Sequence, residues 1–468
     1  MADRDPPLAP HAVASPTVTR PSSAPAPSST RAAAPAASLV RHPDFVRLWT
    51  AETVSQLGTQ VSGLAIPFVA IEILGASTFQ VALLNVVDFL PFLLIGLPAG
   101  VWVDRLRRRP VMIAGDLGRA LALVTIPLAY LAGILTVLQL YVVGFVVGIL
   151  TVFFDVAYQS YLPSVVAREQ LQDGNAKLEI SRAGAQVVGP GLAGILIAIV
   201  RAPFAVALDA LSFLGSALFL LSIRRPETPP ARDRPVAGPG PGMRREMAEG
   251  LRYVVGHAYL RNIAACTGTA NLFGTAAGAV VLVFAVRELG MTAEAIGVGF
   301  SIGATGALLG AVLANPISAL LGVGPTIIAF AALAGPAMLP FALAPAGTST
   351  AVLVALVAFS GFVGGLSMVV YNVAQVSLRQ AITPARMQGR MNATMRWFVW
   401  GTIPIGGVLG GALGTVLGVR EAVVIGALGE LVAILPVLFS PVRSIRAMPA
   451  PPDDERGTEP GEEAPEVP

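Results

Sequence analysis

Of 468 residues, 54% are hydrophobic and 13% charged, where a soluble domain carries about a quarter charged. So little charge cannot cover so much apolar surface in water, which excludes a soluble enzyme and points to a polytopic membrane protein. Net charge is +3, Lys177 is the sole lysine among 31 basic residues, a single cysteine (Cys266) forbids an intrachain disulfide, and three scattered histidines (His11, His42, His257) offer no metal cluster.

In chain order, residues 1–40 are Ala-, Pro- and Ser-rich. They hold no continuous apolar stretch of the signal-peptide kind and read as a disordered arm. A membrane-crossing helix needs about 20 residues. The apolar runs that follow place twelve spans, near 45–73, 78–103, 110–133, 138–161, 177–200, 203–223, 262–286, 294–320, 324–343, 350–375, 389–416 and 420–440. Basic residues gather after the second span (Arg105, Arg107, Arg108, Arg109), the fourth (Arg168, Lys177), the sixth (Arg224, Arg225, Arg232, Arg234, Arg244, Arg245) and the tenth (Arg379, Arg386, Arg390). The alternate loops, such as Gly75-Ala-Ser-Thr78 and Ala344-Pro-Ala-Gly347, are short and nearly uncharged. By the positive-inside rule every cluster, and with it both termini, falls on the cytoplasmic side of the cell inner (plasma) membrane.

The Pro/Gly/Arg-rich stretch 224–243 separates a six-span N-terminal bundle (41–223) from a six-span C-terminal bundle (258–443). Within the cytoplasmic linker 224–257, residues 244–257 alternate charged and apolar side chains at helical spacing, the pattern of an amphipathic helix lying on the membrane. The tail 444–468 is acidic and reads as disordered. The two bundles resemble each other at an offset of 217 positions: Asp155-Val156-Ala157 aligns with Asn372-Val373-Ala374, Asn175-Ala176 with Asn392-Ala393, and Gly184, Gly189, Leu192 and Gly194 with Gly401, Gly406, Leu409 and Gly411. A parallel six-plus-six repeat is an established transporter plan.

Three motifs carry a family resemblance. Gly100-Val-Trp-Val-Asp104-Arg105-Leu-Arg107-Arg108-Arg109 closes span 2 and resembles the loop signature of the major facilitator superfamily, with Leu106 where the family has glycine. Glycine lets two helices approach, and an acid–base set can lock a gate through charged hydrogen bonds, so Gly100, Asp104, Arg105, Arg108 and Arg109 form the expected cytoplasmic gate. Positive-inside topology alone would also put arginines here. The second half carries no such charges near Gly310-Ala-Val-Leu-Ala314-Asn315. In span 5, Gly189-Pro190-Gly191-Leu-Ala193-Gly194 resembles the kink element of drug/proton antiporters, the alternative being an ordinary bent and tightly packed helix. Phe153-Phe154-Asp155-Val-Ala-Tyr158-Gln159, Asn175-Ala176, Leu208-Asp209 and Phe45-Val-Arg-Leu-Trp49 resemble the branch containing enterobactin exporters and macrolide efflux proteins. That resemblance spans about 41–443 and implies an all-α fold of twelve transmembrane helices, driven by the proton gradient, with spans 1, 4, 7 and 10 lining a central cavity.

An ionisable residue inside a span is costly and is a functional candidate by default. Glu52, Gln56 and Gln60, four apart on span 1, make one polar stripe. Glu52 leads as the proton-coupling group, with Asp155 and Asp88 behind it. Asp155 fits either a proton site or a packing carboxyl bonded to backbone amides. The substrate-cavity candidates are Gln56, Gln60, Asn85, Gln159, Asn271, Tyr371, Asn372 and Gln375. Asp116 and Arg119, three apart on span 3, read as a structural ion pair, and Glu430 on span 12 as a structural acid without an evident partner.

The favoured function is a proton-coupled secondary transporter that exports an amphipathic small molecule (an antibiotic, a macrolide-like compound or a siderophore) by alternating access. Nutrient uptake on the same fold is the alternative, opposed by the efflux-type motifs. A non-transporting receptor or scaffold is more distant, opposed by acids on a cavity-facing stripe. No phosphate-binding Gly-x-x-x-x-Gly-Lys loop exists for ATP drive. The expected partners are a small molecule, protons and the bilayer, with no cofactor, no metal and no nucleic acid, in a monomer that is not an enzyme.

Overall fold

The computed structural model describes residues 39–103, 106–167, 170–224 and 241–449. Among them every regular element is helical, and twelve helices are long and apolar enough to cross a membrane. The first six are α1 (Pro43–Phe68), α2 (Thr78–Val103), α3 (Arg108–Leu131), α4 (Val137–Val165), α5 (Leu171–Val200) and α6 (Ala202–Ser222). The linker helix α7 (Pro241–Gly256) precedes α8 (Ala258–Val283), α9 (Ala293–Leu321), α10 (Val323–Ala342), α11 (Thr350–Ala381), α12 (Ala385–Val416) and α13 (Val419–Val432). The last span breaks after α13 and resumes for one turn as α14 (Leu435–Leu438), with a proline at its start.

The helix boundaries follow from local chemistry. Thr136 and Thr292 accept the Gln139 and Ala295 amides at 3.3 Å and so cap α4 and α9. His42 caps α1 through Nδ1, with Pro43 at the first helical position. Helices α1 and α8 both end in a π-turn, Val69–Ile73 and Phe284–Glu288, and each then reverses through a glycine at positive φ, Gly75 (+58°) and Gly290 (+65°).

The repeat seen at 155–194 extends over the whole membrane region, since the helix starts of the first half recur 213–217 residues later. Packing obeys it too. Helix α1 packs on α5 and α6 as α8 packs on α12 and α13, and the principal contacts between the halves, α5 with α9 and α2 with α12, are exchanged by the same symmetry.

The segment boundaries differ from the sequence reading at three places. Leu39–Arg41 form a 3-10 turn whose Leu39 is buried beside Phe45 and Leu48, so an apolar anchor rather than the arm precedes α1. Residues 441–446 fold back on the start of α10, where Gly324 donates to the Ile445 carbonyl at 2.8 Å. Helix α7 begins at Pro241 and seats on α12 through an Arg390–Glu249 ion pair (2.9 Å) and buried Val254. The remaining calls on 1–38, 225–240 and 450–468 lie outside the described residues.

Candidate transport site

The N-terminal bundle holds a buried polar network built by α1, α3, α4 and α6. On α1, Glu52 is 8% exposed; its Oε1 accepts from Gln56 Nε2 at 2.7 Å, and its Oε2 is buried without a hydrogen-bond partner. Asp155 and Tyr158 on α4 and the Asp116–Arg119 pair on α3 lie within electrostatic range of this carboxyl. Arg119 donates to Asp116, and its guanidinium is sandwiched between the rings of Phe154 (4.3 Å) and Phe213 (4.1 Å), which fix it by cation–π contact. Asp209 on α6 is buried and accepts from Ser212 at 3.0 Å. Arg119 thus faces four carboxyls in a low-dielectric setting, where uncompensated charge is expensive, and Arg182 on α5 also lies within electrostatic range of Asp155.

The structure therefore joins residues that the sequence presented separately. Glu52 and Asp155 are neighbours in one network, and the Asp116–Arg119 ion pair is part of that network rather than a remote brace. Spacing along α1 could not show this, and Tyr158, whose hydroxyl is buried and unpartnered, was missed as a member. Gln60 does not continue the stripe into the network, because it packs against Gly189 of α5, where an added methyl would fall 2.4 Å from its Cβ. Asn85 and Asp88 are exposed on α2 and Gln159 is exposed on α4.

The C-terminal candidates converge on a cavity of about 390 Å³ among α8, α10, α11 and α13. Asn271, Tyr371 and Asn372 line it. Thr267 donates to the Ile263 carbonyl (2.9 Å), so the 2.6 Å contact with Tyr371 is a bond that the phenol donates. Asn271 Nδ2 donates to the Val399 carbonyl at 3.0 Å, and Gln375 donates to Asn372 Oδ1 at 3.2 Å. Glu430 also lines this cavity.

Of the gate motif, Asp104 and Arg105 lie outside the described residues. Gly100 falls in the last turn of α2. Arg109 caps the C-terminus of α6, donating to the Leu220 and Leu221 carbonyls at 2.9 and 2.8 Å, and Arg108 is half-buried in the first turn of α3.

The kink element of α5 forms the clasp between halves. Proline at 190 removes a backbone donor and disturbs the local ladder, and the Gly191 amide donates instead to Ser301 Oγ on α9 at 2.8 Å. A methyl on Gly297 would stand 2.3 Å from the Pro190 carbonyl oxygen, and one on Gly194 2.4 Å from that of Ala293. Helix α12 presents glycine on two faces: Gly406 and Gly410 against α8, Gly407 and Gly411 against Val86, Ala82 and Phe79 of α2. Arg287 completes the join by donating to the Ala76 carbonyl at 2.6 Å. These approaches lie toward the short, uncharged loops. The bundles are clasped at that end.

A family model described as transmembrane secretion effector matches residues 33–460. The chain belongs to the transmembrane secretion effectors of the major facilitator superfamily. This effector is 28% identical to the multidrug efflux pump Tap of Mycolicibacterium fortuitum over 86% of its own length and 96% of that protein. It is 26% identical to the enterobactin exporter EntS of Salmonella choleraesuis, over 76% and 81%. The match to macrolide efflux protein A of Streptococcus pyogenes is 29% over 44% of this chain, and it spans only 50% of that relative's length. Among solved structures, a bacterial homologue of the iron transporter ferroportin in an inward-facing state superposes with a TM-score of 0.67 at 16% identity, covering 84% and 98%. That likeness is one of fold. The chain's twelve apolar helices and its family make it a multi-pass membrane protein of a transporter family.

Proposed function

We propose that this secretion effector exports an amphipathic small molecule in exchange for protons, with Glu52 as the coupling carboxyl and its arginine-rich face in the cytoplasm. The observation that carries the reading is the N-terminal network: a buried Glu52 with an unpartnered oxygen, set against Asp155 and the shared Arg119, with Arg182 also facing Asp155. A carboxyl so placed is neutralised either by a proton or by a rearrangement of the charges around it, which couples proton binding to the positions of α1, α3 and α4. Groups tuned in this way are typical of functional sites. The relatives named for drug and siderophore efflux support export over uptake, and the substrate class follows from them rather than from the geometry of the cavity.

The test is transport into proteoliposomes under an imposed proton gradient. Glu52→Gln keeps size and hydrogen bonding to Gln56 but cannot titrate. It is expected to abolish gradient-driven accumulation while leaving substrate binding independent of pH between 5.5 and 8.5. Accumulation at the wild-type rate in this variant would remove Glu52 from the mechanism.

A further inference from the structure

The cavity inside the C-terminal bundle contains an acid that the transport reading does not use. Glu430 on α13 reaches across two helices. A methyl on Gly274 of α8 would fall 2.3 Å from its Oε1, and one on Gly335 of α10 would fall 2.8 Å from its Cβ. Both neighbours thus lack side chains where the carboxyl passes, and it lies against the cavity of about 390 Å³, inside the range of small-molecule pockets (about 300–1,000 Å³). No Lys or Arg is among the described lining residues, so nothing there balances the charge. The wall also carries aromatic and thioether surface from Phe330, Tyr371, Met338 and Met368, beside small residues and the neutral polar Asn271 and Asn372. Ser367 also lines it, fully buried, with its Oγ lacking any hydrogen-bond partner.

We infer that this cavity is a binding site for an organic cation, a protonated or quaternary amine with an apolar body. The ammonium would pair with Glu430, where the low dielectric makes the attraction strong and an unpaired carboxylate costly. The aromatic rings of Phe330 and Tyr371 in the wall can add cation–π attraction, and the methionines adapt to an irregular body. Ser367 supplies a hydroxyl free to bond a polar substituent. An anion would meet Glu430 unfavourably, and a neutral body of the same shape would leave its charge unanswered. This inference deepens the proposed export function by naming a substrate class and a place for it. It is read by equilibrium binding without a gradient, so it fails independently of proton coupling.

The experiment is ethidium binding to the purified full-length protein in detergent, followed by fluorescence, with phenanthridine as the uncharged ring core. Glu430→Gln is expected to weaken ethidium binding by about tenfold or more and to leave phenanthridine binding unchanged. Glu421→Gln, at the exposed start of α13, should stay within twofold of wild type. A wild-type protein that does not bind ethidium, a Glu430→Gln affinity within twofold of wild type, or equal losses for both probes would each overturn the assignment. Photolabelling of the unmutated protein with ethidium monoazide checks it without reliance on a variant's folding. Adducts are expected on the cavity-lining stretches of α8, α10, α11 and α13, and adducts confined to α1 and α4 would overturn it.

Discussion

Gly297→Ala tests the clasp between the halves with a single methyl group. That methyl would stand 2.3 Å from the Pro190 carbonyl oxygen and 3.2 Å from Gly194 Cα, about 1 Å inside ordinary contact with the oxygen. Backbone cannot rotate aside as a side chain can, so α5 and α9 must separate locally. That movement also stretches the 2.8 Å bond from Gly191 to Ser301. Overpacking of this kind costs about 1–3 kcal/mol and a weakened hydrogen bond about 1. The penalty falls only on the state in which the two helices touch at this end. A bias of about 2–3 kcal/mol shifts the equilibrium about 30- to 150-fold away from the clasped state. Spin labels on Ile134→Cys and Ser349→Cys, exposed on the uncharged-loop side of each half, report that separation by pulsed dipolar spectroscopy, and the native Cys266 is buried. Gly297→Ala should move the distance distribution to longer values. Gly63→Ala, with nothing within 4 Å of its added methyl, should leave it unchanged. Coincident distributions for Gly297→Ala and the parent would refute the steric argument.

Asp155→Asn should stop uphill export yet spare substrate exchange down its own gradient, measured as counterflow in proteoliposomes; survival of both would return Asp155 to a packing role. Arg119→Met leaves the fully buried Asp116 carboxyl without its cation and should lower thermal stability in detergent by about 3–5 kcal/mol. Asp116→Leu combined with Arg119→Met should recover part of that loss, since Glu52, Asp155 and Asp209 still lack the arginine, and equal losses in the single and double variants would contradict it. Arg201 holds φ 69° and ψ 154° where its repeat counterpart is Gly418. Arg201→Gly relieves about 1–3 kcal/mol of strain against about 0.5–1 kcal/mol of added chain entropy, so Tm should rise by a few degrees, and a fall would show that its 3.4 Å contact with Tyr130 outweighs the strain.

The twelve spans, the six-plus-six division and the family were all legible in the chain. Each depends on local composition: a run of about 20 apolar residues must cross a bilayer whatever packs beside it, and duplicated glycines keep their spacing in the chain itself. The candidate acids were legible for the same reason, since a charge within an apolar run stands out without any knowledge of its neighbours. Their grouping was not. Glu52, Asp116, Arg119 and Asp155 come from three helices whose relative rotation is set by packing, so only the tertiary structure could show that Arg119 faces all three carboxyls. Glu430 is the sharper case. Along the sequence it is a solitary acid in the last span, and its partners are two missing side chains, Gly274 and Gly335, about 156 and 95 residues upstream. An absence of atoms on neighbouring helices leaves no periodic signal in the chain. The double role of the α5 kink belongs to the same class, because the proline marked a bend but only the approach of α9 made that bend a clasp.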